Sequence, residues 1–376
     1  MIHRLEMKGY RGFERYALAN LARVNLLVGR NNSGKTAILE AVQLLADGDD
    51  FRILDEIARR RGETISKSPD ADRLTPLRLA EVAHFFHGHS IGPKPLISLE
   101  SNGDLGWRGF RIGKVGDDYA HNGGAFGIPA QYQALASDDL LHMTTGSEGS
   151  SFFKEKAIRL LEEGTLWPYG GLRKSETAAF GREEALVSLF VPSDSLERGR
   201  LVTLWDRIIT EGDEGYVVEA MQILEPDLAS IAFLSGERSS PSDPRGGVVI
   251  GFRGESRRRP LGSYGEGMRR LLVLAVALAR TRNGVLLIDE VDTGLHYSIL
   301  GDVWKLIVET AVRNDVQVFL TTHSLDCLRA LDWLCVTRPD LADEVSVQKV
   351  DRRLDEAVAL DASRLQIAVE QGIEVR

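Results

Sequence analysis

GRNNSGKT, residues 29–36, completes the pattern G-x-x-x-x-G-K-[ST]. A loop of this kind wraps phosphate oxygens with successive backbone N–H groups. Glycines stand where a Cβ would block the approach, here Gly29 and Gly34, with Arg30, Asn31, Asn32 and Ser33 between them. Lys35 would reach the β- and γ-phosphates, and the Thr36 hydroxyl would ligate Mg²⁺. Val24, Leu26, Leu27 and Val28, just before the loop, form a short apolar run that predicts a buried strand. KTAILEAVQLLA, residues 35–46, then places Ile38, Leu39, Val42, Leu44 and Leu45 at helical spacing. The order strand, glycine turn, helix aims a helix N-terminus at a bound anion.

Two later segments share that plan. VLLIDE, residues 285–290, is an apolar strand ending in two carboxylates. Asp289 is placed to hold Mg²⁺, and Glu290 to orient and polarise an attacking water. FLTTHS, residues 319–324, is again an apolar strand with a polar end, where His323 would contact a γ-phosphate. SYGEGM, residues 263–268, precedes an apolar helix. Ser263 and Glu266 have the spacing of a capping box. The Ser263 hydroxyl, glycine N–H groups and the helix N-terminus also suit an anion, one belonging to another subunit's nucleotide.

The chain has 376 residues, with 46 Lys+Arg against 55 Asp+Glu and a formal net charge of −9. That length fits one large domain or two modest ones. The acidic balance argues against a protein coated in nucleic acid and leaves room for a local basic patch. Arg59–Arg61 and Arg257–Arg259 are short arginine runs, most simply solvated helix ends or loops. The second lies just before SYGEG, where a nucleic-acid contact would couple to the nucleotide site. No apolar run reaches the ~20 residues of a membrane span. No signal peptide is recognisable, and Cys327 and Cys335 define no metal spacing or disulfide framework, so a cytoplasmic protein is expected.

Elsewhere PLISLES (95–101), FRIGKV (110–115) and GVVIGF (247–252) read as strands, as do 284–288, 316–320 and 345–350. Residues 152–163, 194–210, 214–227, 266–280, 296–313 and 362–371 read as helices. The glycine-rich 115–127 and the Ser/Pro/Gly-rich 235–247 read as loops. Trp205, Trp304 and Trp333, in apolar surroundings, are expected in the core.

The order GRNNSGKT, SYGEG, VLLIDE, DTGLH (292–296), TTHS resembles the ABC-type ATPase core of the OLD, RecF and SMC families. More narrowly it is similar to their bacterial and archaeal "AAA family ATPase" relatives, as are residues 204–228, 258–279 and 362–376. The resemblance implies an α/β P-loop NTPase, ABC- and SMC-head-like, with a mixed β-sheet flanked by helices and a helical insert. Residues 1–50 and 230–376 would form the ATP-binding core. Residues 51–229 would form an inserted lobe, β-rich then helical, that docks a partner or reports closure.

By position, the same resemblance assigns Gly29, Arg30, Asn31, Asn32, Ser33, Gly34, Lys35 and Thr36 to ATP and its Mg²⁺. It makes Asp289 the metal-binding acid, Glu290 the catalytic base and His323 the switch histidine. Ser263, Gly265 and Glu266 fall at the signature motif, with Tyr264 where a glycine is more usual. DTGLH falls at the D-loop, with His296 where ABC transporters have Asp. Gln131 and Gln133 are candidates for the Q-loop residue. The stretch after His323 is too short for the Toprim nuclease domain of some relatives, and no coiled-coil array of the SMC kind occurs. With no N-K-x-D motif, adenine is preferred to guanine.

The expected function is a slow ATPase that acts as a nucleotide-gated dimerisation switch. It would control a separately encoded effector, for example in phage defence, without a membrane partner. The alternatives are a RecF-like DNA-associated ATPase and an ATP-binding scaffold with little hydrolysis.

Overall fold

The strand that leads into GRNNSGKT, β3 (Val24–Val28), is buried at every residue and lies inside a six-stranded sheet. The computed structural model describes residues 1–47, 52–67, 77–91, 96–104, 106–114, 140–147, 154–161, 165–166, 188–234 and 247–371. The sheet runs β11 (Ser188–Val191), β15 (Val285–Ile288), β16 (Gln317–Thr321), β3, β17 (Val345–Lys349), β18 (Val358–Leu360). The first five are parallel and β18 is antiparallel. Parallel strands covered on both faces read as continuous apolar runs, which is why VNLLV, VLLI and VFL stood out. The one polar interruption of β3, Asn25, is fully buried and satisfied by Ala22: its amide donates to Ala22 O at 2.7 Å and its carbonyl accepts from Ala22 N at 2.8 Å.

Helix α1 (Lys35–Asp47) follows the loop. α3 (Arg198–Glu211) and α4 (Glu214–Met221) both pack on α5 (Glu266–Arg280), and α6 (Leu300–Arg313) packs on α7 (Leu325–Thr337). α5 is buried almost all round, from Arg270 to Ala279 without a break. A helix apolar on every side belongs in the middle of a core, and α5 shares one with β3, β15, β16, α3 and α4. A small antiparallel sheet, β12 (Leu228–Phe233), β13 (Val248–Phe252) and β14 (Arg259–Pro260), leads into α5. α8 (Pro339–Ala342) and α9 (Ala362–Glu370) complete this part of the chain.

The remaining strands form an antiparallel sheet in the order β10 (Thr165–Leu166), β9 (Lys154–Leu161), β8 (Leu140–Ser147), β7 (Gly106–Lys114), β6 (Leu96–Gly103), β1 (Ile2–Tyr10), β2 (Phe13–Leu18). A hairpin of β4 (Thr64–Lys67) and β5 (Leu77–Ala80) follows α2 (Arg52–Arg61). The fully buried carboxylate of Glu40 pairs with Arg11 at 2.8 Å and Arg61 at 2.7 Å. Arg60 donates to Gln43 and Arg59 to Asp55, both at 2.7 Å. The run Arg59–Arg61 is therefore committed to internal partners.

Several expectations need correction. Residues 154–161, within the helix expected over 152–163, are β9, paired antiparallel with β8. The helix expected over 214–227 ends at Met221. Trp205 and Trp304 are buried as expected, but Trp333 is 54% exposed on α7, whose inward face is Leu328, Leu331, Leu334 and Cys335. The compact units also divide differently from the expected core and insert. One contains Met1–Ala19, Glu40–Ala185 and Asp351–Ala357; the other contains Asn20–Leu39, Leu186–Val350 and Val358–Arg376. Residues 186–229, expected in the insert, fall with GRNNSGKT because β11 pairs with β15, and because Leu201, Trp205, Ile208 and Met221 enter the α5 core. The loop expected over 115–127 and the candidates Gln131 and Gln133 lie outside the described residues, as does 235–246 of the later loop.

Candidate active site

β15, β16 and β3 are neighbours, so the segments after their carboxyl ends converge. Those segments are Asp289–Glu290, Thr322–Ser324 and GRNNSGKT. The loop takes up three left-handed backbone positions, Gly29 (φ 147°), Asn32 (φ 61°) and Gly34 (φ 99°). At Gly29 a Cβ would come within 2.5 Å of the Val350 carbonyl oxygen, so no larger residue fits. Ser33 N donates to Arg30 O at 3.2 Å, and Ile38 N to Gly34 O at 3.0 Å as α1 begins.

Lys35 is buried, and its ammonium donates to Gly29 O at 2.8 Å and Arg30 O at 3.1 Å. Desolvation pushes its pKa from 10.5 down to about 8, against the pull of Asp289 and Glu290. The Ser33 hydroxyl is buried with no hydrogen-bond partner. An ammonium held by its own loop's carbonyls, an orphaned hydroxyl and a cradle closed to a Cβ fit an anionic ligand.

The acids are oriented by threonines. Thr36 Oγ1 donates to Asp289, 3.1 Å from Oδ1 and 3.0 Å from Oδ2. Thr321 Oγ1 donates to Asp289 Oδ1 at 2.6 Å and accepts from Glu290 N at 2.8 Å. One hydroxyl at the end of β16 thus fixes both acids after β15. Thr36 and Asp289 offer the hard oxygens Mg²⁺ takes, and no group of three His, Cys, Asp or Glu side chains among the described residues could hold a metal unaided. A metal there would rely on the substrate's own phosphates for further ligands, as Mg²⁺ usually does.

Glu290 has φ 49°, a left-handed conformation that costs a residue with a Cβ about 1–2 kcal/mol. Its Oε2 accepts from Thr293 Oγ1 at 3.2 Å. His323 bridges loop and acid, with Nδ1 3.4 Å from Lys35 Nζ and Nε2 3.9 Å from Glu290 Oε1. Thr322 Oγ1 donates to Asp292 Oδ1 at 2.5 Å and accepts from Ser324 N at 3.0 Å, and Ser324 caps α7. Asn31, Asn32, Glu290, Asp292, Thr293 and His323 line an open cleft of about 360 Å³.

SYGEG takes no part in this hydrogen-bond network. Ser263 lies in a 3₁₀ turn and does not cap α5; Gly265 occupies the N-cap position at φ 85°, with no side-chain cap. The expected capping box is therefore absent, because the helix begins at Glu266 itself, whose carboxylate accepts from Arg269 at 2.6 Å. Ser263, Gly265 and Glu266 are exposed. DTGLH is adjacent: a Cβ on Gly294 would stand 2.8 Å from Glu266 Cγ. Tyr264 stacks on Phe252 at 5.5 Å, and Arg259 donates to its hydroxyl at 2.9 Å while forking Glu255 at 2.6 and 2.7 Å. His296 caps the turn before α6 through Ser298.

Two family profiles match the chain: "AAA ATPase domain" over residues 1–82, and "AAA domain, putative AbiEii toxin, Type IV TA system" over 172–328. The fold is that of an SMC head, as in the structure of the SmcHead bound to the C-winged helix domain of ScpA, at TM-score 0.50 and 15% identity, with 96% of this chain and 97% of that one covered. The chain carries an AAA ATPase domain.

Sequence relatives of the ATPase domain include an uncharacterized protein of Methanocaldococcus jannaschii, 39% identical over 64 residues, which are 17% of this chain and 56% of that protein. The chain thus spans little more than half the length of that relative. An ATP/GTP phosphatase of Helicobacter pylori is 20% identical over 362 residues, 92% of this chain and 91% of its own. The DNA replication and repair protein RecF of Acinetobacter baylyi is 49% identical over 51 residues, 14% of each. No helix among the described residues is long and apolar enough to cross a membrane.

Four residues of the ATPase domain's site escaped the sequence reading: Thr321, Thr322, Thr293 and Arg270. The two threonines before His323 carried a signal, as hydroxyls at the end of an apolar strand. So did Arg270, a charge within the apolar run of α5.

Proposed function

We propose that this chain binds Mg·ATP on GRNNSGKT, hydrolyses it with Glu290, and uses the bound nucleotide to hold two copies together. The observation that carries this reading is the single network joining Lys35, Thr36, Asp289, Glu290, Thr321 and His323. The loop N–H groups and Lys35 grip the β- and γ-phosphates, with Lys35 exchanging its carbonyl partners for phosphate oxygens. Thr36 and Asp289 would hold Mg²⁺, whose charge offsets that of the phosphates. Glu290 orients a water in line with the γ-phosphorus, and His323, between base and loop, registers whether the γ-phosphate is present.

The signature residues support the dimer. SYGEG is exposed, opens a helix and lies outside its own loop's network, so it is available to a neighbouring copy's γ-phosphate. Hydrolysis then weakens the contact, and the cycle's product is a conformational state read by a separate effector. The toxin–antitoxin description of one matching profile is compatible with such an effector in phage defence.

ATP turnover and oligomeric state of wild type, Lys35→Ala and Glu290→Gln test this. Lys35→Ala should lose nucleotide binding, and Glu290→Gln should accumulate an ATP-bound dimer with turnover reduced about 100-fold or more. Equal turnover in all three proteins refutes the assignment.

A DNA-associated reading has one observation of its own. The turn between β13 and β14 exposes Arg253, Arg257 and Arg258, and the Arg259 beside them anchors Tyr264 of SYGEG. It requires that duplex DNA stimulate turnover and that binding weaken steeply with salt.

A further inference from the structure

Arg270 is 2% exposed, and the guanidinium ends on main-chain carbonyls. Nη1 donates to Pro192 O at 2.9 Å, and Nη2 donates to Asp289 O and Glu290 O, both at 2.8 Å. Two of these three carbonyls belong to the acids at the end of β15, one of which adopts the left-handed backbone. The Glu290 N–H is held from the other side by Thr321. The peptide groups flanking Glu290 are therefore clamped on both sides, and the side chain projects from the clamp toward His323 and Thr293. Arg270 sits on the helix that SYGEG opens, so a single rigid element joins the signature to the backbone of the acid.

We propose that Arg270 is a positioning residue for hydrolysis. It holds Glu290 in its left-handed conformation and couples the catalytic carboxylate to the signature helix. This rests on Glu290 being the base. An arginine fork can bridge successive carbonyls, whereas a lysine offers a point charge with no fixed plane, so Arg270→Lys keeps the charge and much of the volume but loses the clamp. A staple serving only to tie β11 to β15 would affect folding and leave the chemistry of the folded protein unchanged.

The test compares Arg270→Lys and Arg270→Met with wild type, in the single variants and on a Glu290→Gln background. The readouts are thermal midpoint, affinity for a fluorescent ATP analogue, KM and kcat. Both variants should fold, bind nucleotide within about three-fold of wild type and keep KM, while kcat falls about ten-fold or more. On the Glu290→Gln background the Arg270→Lys penalty should vanish, because its route is through Glu290. Wild-type kcat in folded Arg270→Lys overturns the proposal, as does a penalty that adds in full to Glu290→Gln. Failure of Arg270→Lys itself to fold also overturns it in favour of a plain structural staple. Wild-type turnover in Glu290→Gln overturns the base assignment first, and is distinguishable because it needs no change at Arg270.

Discussion

Among the described residues, Lys35 is one whose charge state the fold moves well toward neutral pH. Its pKa falls from 10.5 to about 8 because burial opposes the ammonium more than Asp289 and Glu290 support it. A lysine with a lowered folded-state value binds its proton less tightly folded than unfolded. The cost of burying the charge is thus fully present below about pH 8 and is relieved as pH rises toward the unfolded value, so this residue's contribution makes the fold more stable between about 8 and 10.5. Nucleotide binding has the opposite sign, because a triphosphate near Nζ favours the ammonium. ATP binding near pH 8 should therefore take up a proton, and ATP affinity should fall as pH rises above that point. Calorimetry in two buffers of different ionisation enthalpy measures the uptake directly. A heat independent of buffer would count against Lys35 as the phosphate ligand. The place of Lys35 in the loop was readable from GRNNSGKT alone, since loop spacing sets it. Thr321 and Arg270 showed only as a hydroxyl ending an apolar strand and a charge in an apolar run, because their partners are carbonyls and carboxylates brought in by strand order, which no local pattern encodes.

The elements were legible wherever burial left a period. β3, β15 and β16 are apolar throughout because both faces are covered, and α5 is a long apolar run because it fills the core. KEKAIRLL of β9 misled because lysine, glutamate, alanine and leucine all favour a helix, and pairing with β8 overrode that preference. β11 is only four residues long, too short to declare a period before its pairing with β15 is known. Trp333 misled for another reason: the apolar residues of α7 outnumber the places on its buried face. The dependence of the core on α5 has a measurable consequence. Leu274, fully buried at mid-helix, should cost about 2–5 kcal/mol when replaced by alanine, by lost transfer energy and an unfilled cavity. Chemical denaturation would show this as a lower midpoint with an unchanged slope. A change below about 0.5 kcal/mol would mean that the helix repacks freely.

At the scale of the whole molecule, GRNNSGKT and SYGEG belong to one compact unit yet share no hydrogen-bond network. If two copies close head to tail, each nucleotide touches the loop of one and SYGEG of the other, and the sites are composite. Composite sites make a quantitative prediction for mixtures of inactive proteins. Lys35→Ala spoils the loop, and Ser263→Arg places bulk and charge where the neighbour's γ-phosphate would arrive. Each homodimer then has two defective sites. A mixed dimer has one site with both defects and one with neither, since the intact loop of one copy meets the intact SYGEG of the other. Random mixing in equal amounts makes about half the dimers mixed, each with one sound site of two, so turnover should recover to about a quarter of wild type if sites act independently. Titrating one inactive protein into the other while following phosphate release measures it, with maximal recovery near equal amounts. Sites contained within a single chain would show no recovery at any ratio, because neither variant has anything to lend the other.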